Sequence, residues 1–387
     1  MSDAEVLLVV LAVIYVIDCA SWQRHDVVAF AQPWLGRWRI VHPGGLFGHA
    51  NAGLVMGNPL PPLGGLITTQ PLPVSLGPEG IYAHVSQNLH PTGWPAYPGD
   101  HVAWEGLQTI RIDGTAVLAG QRVLARTMSA REAEWLADTI TRLAACPSAE
   151  RPVAIEAVIA DTLCTARAGK CIDAFRQVAR GVLIRGNLLL VSIVVTLTAV
   201  MRWEPAQQRW PLIVVSILLL VGLAVVGFAA AHRRLFPEAR RRRWKPLLRL
   251  IVSPPALVRA ADSLGQDVAA GLHPLAVAAV LVDRASFEAF AQRVVADLAH
   301  PCLPTCPSDL PAAQATEAWY RQRLQAAVRA MLARSDVNEE SLLAAPAPDG
   351  DSNRSYCPRC RSQFEPVSGT CEPCGGMELV PLSPASS

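Results

Sequence analysis

Val182–Met201 reads VLIRGNLLLVSIVVTLTAVM and Pro211–Ala231 reads PLIVVSILLLVGLAVVGFAAA, and the reading of this pair decides the fold. The second run has no charged residue over 21 positions, a length that in a helix suffices to cross a bilayer core of roughly 30 Å. The first carries one charge, Arg185, near its beginning, where a long stem can lie along the helix and put its head in the interface. Trp203 and Trp210 bracket the polar loop Arg202–Trp210, as interfacial indoles do. The pair predicts a transmembrane hairpin over 182–231.

A basic cluster orients that hairpin. Between Arg233 and Arg249 stand Arg233, Arg234, Arg240, Arg241, Arg242, Arg243, Lys245 and Arg249, opposed by Glu238 alone. The entering segment is also basic, with Arg167, Lys170, Arg176 and Arg180. The side richer in Lys and Arg stays inside, so both ends are expected in the cytoplasm. The juxtamembrane segment 232–250 would then face anionic lipid head groups, each charge in 233–249 contributing about 1 kcal/mol. Net charge over 387 residues is only +2, so no overall field points to nucleic acid, and none is expected as a partner. The 51% hydrophobic content is high for a chain without spans, and the length leaves room for two or three modules.

Residues 1–22 open acidic (MSDAE) and continue VLLVVLAVIYVI before Asp18 and Cys19. Asp3 and Glu5 stand where a secretory signal carries positive charge, and Asp18 stands where a lipoprotein site has a small residue. The segment reads as an uncleaved first span, and a buried or interfacial helix is the alternative. The chain from 23 to 65 is Gly- and Pro-rich and reads as irregular structure. Gly44, Gly45, Gly48 and Gly53 lack the Gly-Lys-Ser/Thr ending of a phosphate loop, and His42 and His49 lack companions to complete a metal set.

Residues 66–146 are better organised. Pro73–Leu76 and Gly80–Val85 read as strands around a Gly-Pro-Glu-Gly turn, followed by strands at His101–Ile112 and Val117–Ala125 joined at Asp113-Gly114. Ser129 with Glu132 three residues later predicts a capped helix whose apolar face is Leu136, Ile140 and Leu143. This α+β module, with Trp104-Glu105 ahead of a strand pair, resembles bacterial pleckstrin-homology-like domains over about 80 residues. That resemblance implies a binding or assembly module and supplies no catalytic residue.

Residues 151–180 read as a helix leading to the hairpin, with Cys164 and Cys171 two turns apart, too far for one zinc without other ligands. Beyond the arginines, 253–334 reads as a helical module. Ser253-Pro254 starts one helix, PLAVAAVLV at 274–282 is too short to span and belongs in a core, Ser286 opens another, and 312–333 forms a third. His273 reads as a cap or core histidine in preference to a base. Cys302 and Cys306 with His300 make at most half a metal site. Residues 344–355 read as a flexible linker.

The strongest chemical pattern comes last. Cys357-Pro358-Arg359-Cys360 and Cys371-Glu372-Pro373-Cys374 are two C-x2-C knuckles ten residues apart. Each aims two thiolates at one point, and together they supply the tetrahedral sulfur set that Zn²⁺ accepts. The tail over 356–379 resembles the short zinc ribbons appended to many bacterial membrane and regulatory proteins, departing from their pattern with Arg361 where Gly is common. With all four positions filled by Cys357, Cys360, Cys371 and Cys374, the expected zinc is structural. Gly375 and Gly376 are expected to turn backbone N–H groups toward the sulfurs.

The sequence therefore predicts a multi-domain, multi-pass protein of a bacterial inner membrane with its C-terminus in the cytoplasm. Its expected role is that of a non-catalytic scaffold, assembly or regulatory component with protein partners, since no nucleotide loop, HExxH or nucleophile elbow is present. The alternative is a membrane enzyme or ligand sensor with a site in 23–146, for which His42, His49, His84 and His101 with Glu105 are the candidates. A transport role is disfavoured by spans without deep charges.

Overall fold

The computed structural model describes residues 6, 28–32, 39–41, 65–69, 72–83, 100–107, 109–127, 129–178, 181, 192, 195, 198–199, 206–237, 260–300, 311–350 and 352–382. Strands β1 (Val28–Gln32), β2 (Arg39–Val41), β3 (Gly65–Thr69), β4 (Val74–Leu76), β5 (Gly80–Ala83) and β6 (Asp100–Ala103) lead to a 3-10 turn at Trp104–Gly106. Then come β7 (Ile110–Asp113), β8 (Ala116–Ala119), β9 (Arg122–Arg126), α1 (Ala130–Ala145), α2 (Arg151–Thr162) and α3 (165–178). The helices α4 (Ala206–Leu235), α5 (Ala260–Val268), α6 (Pro274–Leu281), α7 (Arg284–Ala299), α8 (Pro311–Arg334) and α9 (Glu339–Leu343) follow. The tail adds β10 (Ser355–Tyr356), β11 (Gln363–Phe364), β12 (Thr370–Cys371), a 3-10 turn at Glu372–Cys374, β13 (Met377–Glu378) and β14 (Val380–Pro381). The chain divides into two units, one from Met1–Leu46, Ala52–Thr69 and Gly169–Ala269, the other from Phe47–Asn51, Gln70–Ala168 and Ala270–Ser387.

In the first unit β1 pairs antiparallel with β2 and β3, setting Phe30 opposite Ile40 on one side and Ile67 on the other. Helix α5 packs on β3, and α4 packs on α5. Among the described residues, no helix is long and apolar enough to cross a membrane. This overturns the expected multi-span membrane fold and, with it, the multi-pass inner-membrane localisation; the lipid partners inferred from them lose their support. The second arm of the expected hairpin is part of α4, which runs past the apolar residues through His232, Arg233 and Arg234 to Leu235. Its last turns pack in protein: Phe228, Ala231 and Phe236 are buried, and the His232 ring lies 6.1 Å from the Phe228 ring and 5.0 Å from that of Phe236. Hydropathy alone does not separate a helix packed in this way from one that spans. The rest of the membrane reading, 1–22 apart from Val6, most of 182–201 and 238–250, lies outside the described residues, as do most of 23–65 and all of 253–259.

The second unit is built on two antiparallel three-stranded meanders, β4-β5-β6 and β7-β8-β9. Ser75, Tyr82 and His101 stand in one cross-strand row of the first. Helix α8 covers that row. Ala313 packs on Tyr82, Ser75 Oγ donates to the Glu317 carboxylate, and His101 Nε2 sits 3.1 Å from Thr316 Oγ1. Gly77 is required there, because a Cβ would meet the Thr316 methyl at 2.9 Å. The helix expected at 312–333 in a separate helical module is thus the cover of the sheet expected in the α+β module.

The expected strand at 101–112 is interrupted by the 3-10 turn, where Trp104 turns inward and its Nε1–H donates to Gly77 O at 2.8 Å. The expected strand at 117–125 is broken by Gly120 at φ +61, which turns the chain from β8 into β9. Ser129 caps α1, its Oγ accepting from Glu132 N–H at 3.1 Å, and Ala133, Leu136, Ile140 and Leu143 are buried as α1 packs on β7 and β8. Arg151, 6% exposed, binds the end of that helix to the sheet. Its guanidinium donates to Leu143 O, Pro78 O and Cys146 O at 3.0–3.1 Å and lies over the Trp104 ring at 5.1 Å. Helix α7 starts at Asp283, whose carboxylate accepts from Ser286 N–H, and not at Ser286 as its pattern suggests. The helix expected over 151–180 breaks at 163–164, between α2 and α3, so Cys164 and Cys171 share no continuous helical face.

Candidate metal centre

The tail is two small sheets, β11-β10-β14 and β12-β13. β10 pairs Tyr356 with Gln363 and with Val380, and β12 pairs Cys371 with Met377. The first knuckle is a turn closed by Arg361 N–H to Cys357 O (2.8 Å) and Cys357 N–H to Ser362 O (2.9 Å). The second is closed by Gly375 N–H to Glu372 O and Gly376 N–H to Cys371 O, with both glycines at positive φ. These glycine N–H groups reach carbonyls, where the sequence suggested sulfurs.

Both turns deliver their thiols to one point. The Sγ atoms of Cys357, Cys360, Cys371 and Cys374 all lie within 4.8 Å of one another, and the group could hold a metal ion. Among the described residues no other set of His, Cys, Asp and Glu converges in this way. Cys360 Sγ and Cys371 Sγ are 3.7 Å apart, far longer than the ~2.05 Å of a disulfide, and none of the four cysteines is disulfide-bonded. A sulfur tetrahedron with metal–sulfur bonds of about 2.3 Å has an edge of about 3.8 Å, which the observed spacing matches.

Burial shapes the chemistry of these thiols. Cys357, Cys371 and Cys374 are buried with Leu379, against which Phe364 and Met377 pack. Desolvation pushes the Cys371 thiol up to about 11, and the Cys374 thiol is raised further by the same cause. At Cys360 desolvation acts in the same sense, but hydrogen bonds from the Ser362 hydroxyl and N–H and from the Cys357 and Cys374 thiols outweigh it and bring the thiol down to about 7. A thiolate is favoured at Cys360, beside the Cys371 and Cys374 thiols whose ionisation burial opposes. The buried apolar set is too small to stabilise a fold of this size alone.

The histidines considered for an enzyme site are not assembled. His42, His49 and His84 lie outside the described residues, as do Cys302 and Cys306. His101 is placed against Thr316, burial lowering its pKa against the pull of Asp100, while Glu105 is exposed on the 3-10 turn. His273 is the N-cap of α6: its Nδ1 accepts from Leu275 N–H at 3.1 Å and its backbone N–H donates to Thr162 O at 2.9 Å. The residues that sequence reasoning missed are Arg359, Arg361 and Gln363, which bind the tail to the helices before it. Arg361 replacing the usual glycine was the available signal, because it takes φ +63.

No protein-family model matches the chain, and no curated protein or solved structure matches it. The pleckstrin-homology-like resemblance therefore has no support. The tail remains compatible with a zinc ribbon through its four cysteines.

Proposed function

We propose that Cys357, Cys360, Cys371 and Cys374 hold a structural Zn²⁺, and that the chain acts as a non-catalytic scaffold, assembly or regulatory protein. The observation that carries the zinc reading is the convergence of the four sulfurs within 4.8 Å of one another, with Cys360 and Cys371 at a tetrahedral edge length. An all-sulfur set favours a soft or borderline cation, and four protein ligands leave no open position for substrate, so the ion would stabilise the fold. Its binding free energy would supply the stability that the small core lacks.

The scaffold reading is supported by surface. On α4, Val215, Leu218, Leu219, Leu223 and Val226 are 55–68% exposed at helical spacing, an apolar stripe of the kind that marks contact with another protein. The test is affinity purification of the full-length chain with identification of co-purifying proteins. The reading predicts a reproducible, near-stoichiometric partner that is lost in Leu218→Glu/Leu223→Glu. Recovery of the chain alone, or a partner indifferent to those substitutions, contradicts it.

A further inference from the structure

The tail is joined to the helices by 344–355, a stretch whose composition suggests a free linker. In the fold it is held. Three residues placed alternately in and after the first knuckle make the attachment. Arg359 Nε pairs with Asp297 of α7 at 2.7 Å, the Arg361 guanidinium donates to Ala344 O, and Gln363 Nε2 donates to Ala347 O at 2.6 Å. Gln363 Oε1 also accepts from Asp349 N–H at 2.9 Å. The helical end is itself fixed, since Gln292 Nε2 of α7 donates to Leu342 O of α9 at 2.9 Å.

Each contact is weak alone. The side chain of Asp297 is 59% exposed, and an ion pair in that setting contributes roughly 0–1 kcal/mol. The attachment acts as a unit only when the knuckle presents all three side chains in fixed register, so that their ordering has been accomplished before docking. Two backbone hydrogen bonds shape that knuckle, and they do so against the cost of Arg361 at φ +63, on the order of 1–2 kcal/mol. The pairing of Tyr356 with Gln363 holds the two ends of the knuckle, and a metal would add the tie from Cys357 and Cys360 to the second knuckle.

We propose that metal occupancy of the four-cysteine site clamps the tail to α7 and α9, and that loss of the metal releases both the tail and 344–355. This rests on the zinc reading and extends it from a local fold to a link between the ribbon and the helices. The link runs from sulfur to the first knuckle, from the knuckle to Arg359, Arg361 and Gln363, and from these to Asp297, Ala344, Ala347 and Asp349.

Hydrogen exchange on the full-length chain, combined with elemental analysis of the same samples, tests it. The Asp349 amide is the reporter, since its bond is to a ribbon side chain. With stoichiometric zinc, chelation is expected to speed exchange over 344–350 on the order of tenfold, while α1 keeps its protection. Arg359→Ala/Gln363→Ala is expected to keep its zinc and yet exchange as the chelated wild type does. Zinc present with 344–350 indifferent to chelation overturns the clamp and leaves the zinc reading standing. Absence of zinc from the purified protein overturns both.

Discussion

Cys360 Sγ and Cys371 Sγ stand 3.7 Å apart, although the two residues are eleven positions apart in the chain. The spacing is far beyond that of a disulfide and matches adjacent corners of a zinc–sulfur tetrahedron. The two knuckles are independent turns, so their meeting reflects the pairing of Cys371 with Met377 and of Tyr356 with Gln363 and Val380.

Metal binding at this site displaces protons. Cys371 titrates at about 11 and Cys374 above its ordinary range when no cation is present, both chiefly through desolvation. At neutral pH these thiols are protonated, and zinc must expel the protons to bind. Apparent affinity is therefore expected to rise from pH 6 to pH 8, measured by competition with a chromogenic chelator. A flat profile contradicts an all-thiolate site.

His273 makes the second unit acid-sensitive. Burial lowers its pKa from 6.5 to about 4, and the neutral ring is the form whose Nδ1 accepts from Leu275 N–H. An unfolded chain takes up a proton below 6.5 that the buried ring refuses. The contribution is thus complete above pH 6.5 and is lost as pH falls toward 4, up to roughly 3 kcal/mol in all. His273→Asn, which keeps a capping oxygen, is expected to flatten the dependence in denaturant titrations at pH 7 and pH 4.5.

Arg151 ties three carbonyls from two loops and a helix end. Arg151→Met removes the charged donors to Leu143 O, Pro78 O and Cys146 O, and is expected to destabilise the unit by about 3 kcal/mol. Arg151→Lys is expected to recover little, because an ammonium lacks the planar fork that reaches all three. Urea midpoints at constant slope provide the check.

Gly271 sits at φ +70 under the indole of Trp135, where a Cβ would come within 2.4 Å of the ring. Gly271→Ala is expected to cost at least about 3 kcal/mol, from left-handed strain together with displacement of the indole. A shift in Trp emission with a lowered melting temperature would confirm it, and wild-type values in both would contradict the packing described.

Local chemistry was readable where a few neighbouring residues decide it. Ser129 with Glu132 marked the start of α1, and Cys357, Cys360, Cys371 and Cys374 marked the convergence of thiols. The breaks at Trp104 and Gly120 were not readable from alternation, because both sit inside runs that keep an apolar pattern; Gly120 alone offered a cue. What failed was the inference from hydropathy to environment. The run in 211–231 is apolar in composition, but the turns around His232 bury Phe228 and Phe236 in protein contacts that no window of sequence displays. The covering of β4-β5-β6 by α8 was also hidden, since Ser75 and Glu317 are 242 positions apart.

The most direct test of the central claim is the zinc content of the full-length protein, measured by elemental analysis of wild type and of Cys371→Ser purified without added metal. The account predicts about one zinc per wild-type chain, removable by chelator with loss of protection in 355–381, and a large fraction of that zinc missing from Cys371→Ser. A wild-type protein free of zinc whose tail keeps its protection in chelator would contradict it.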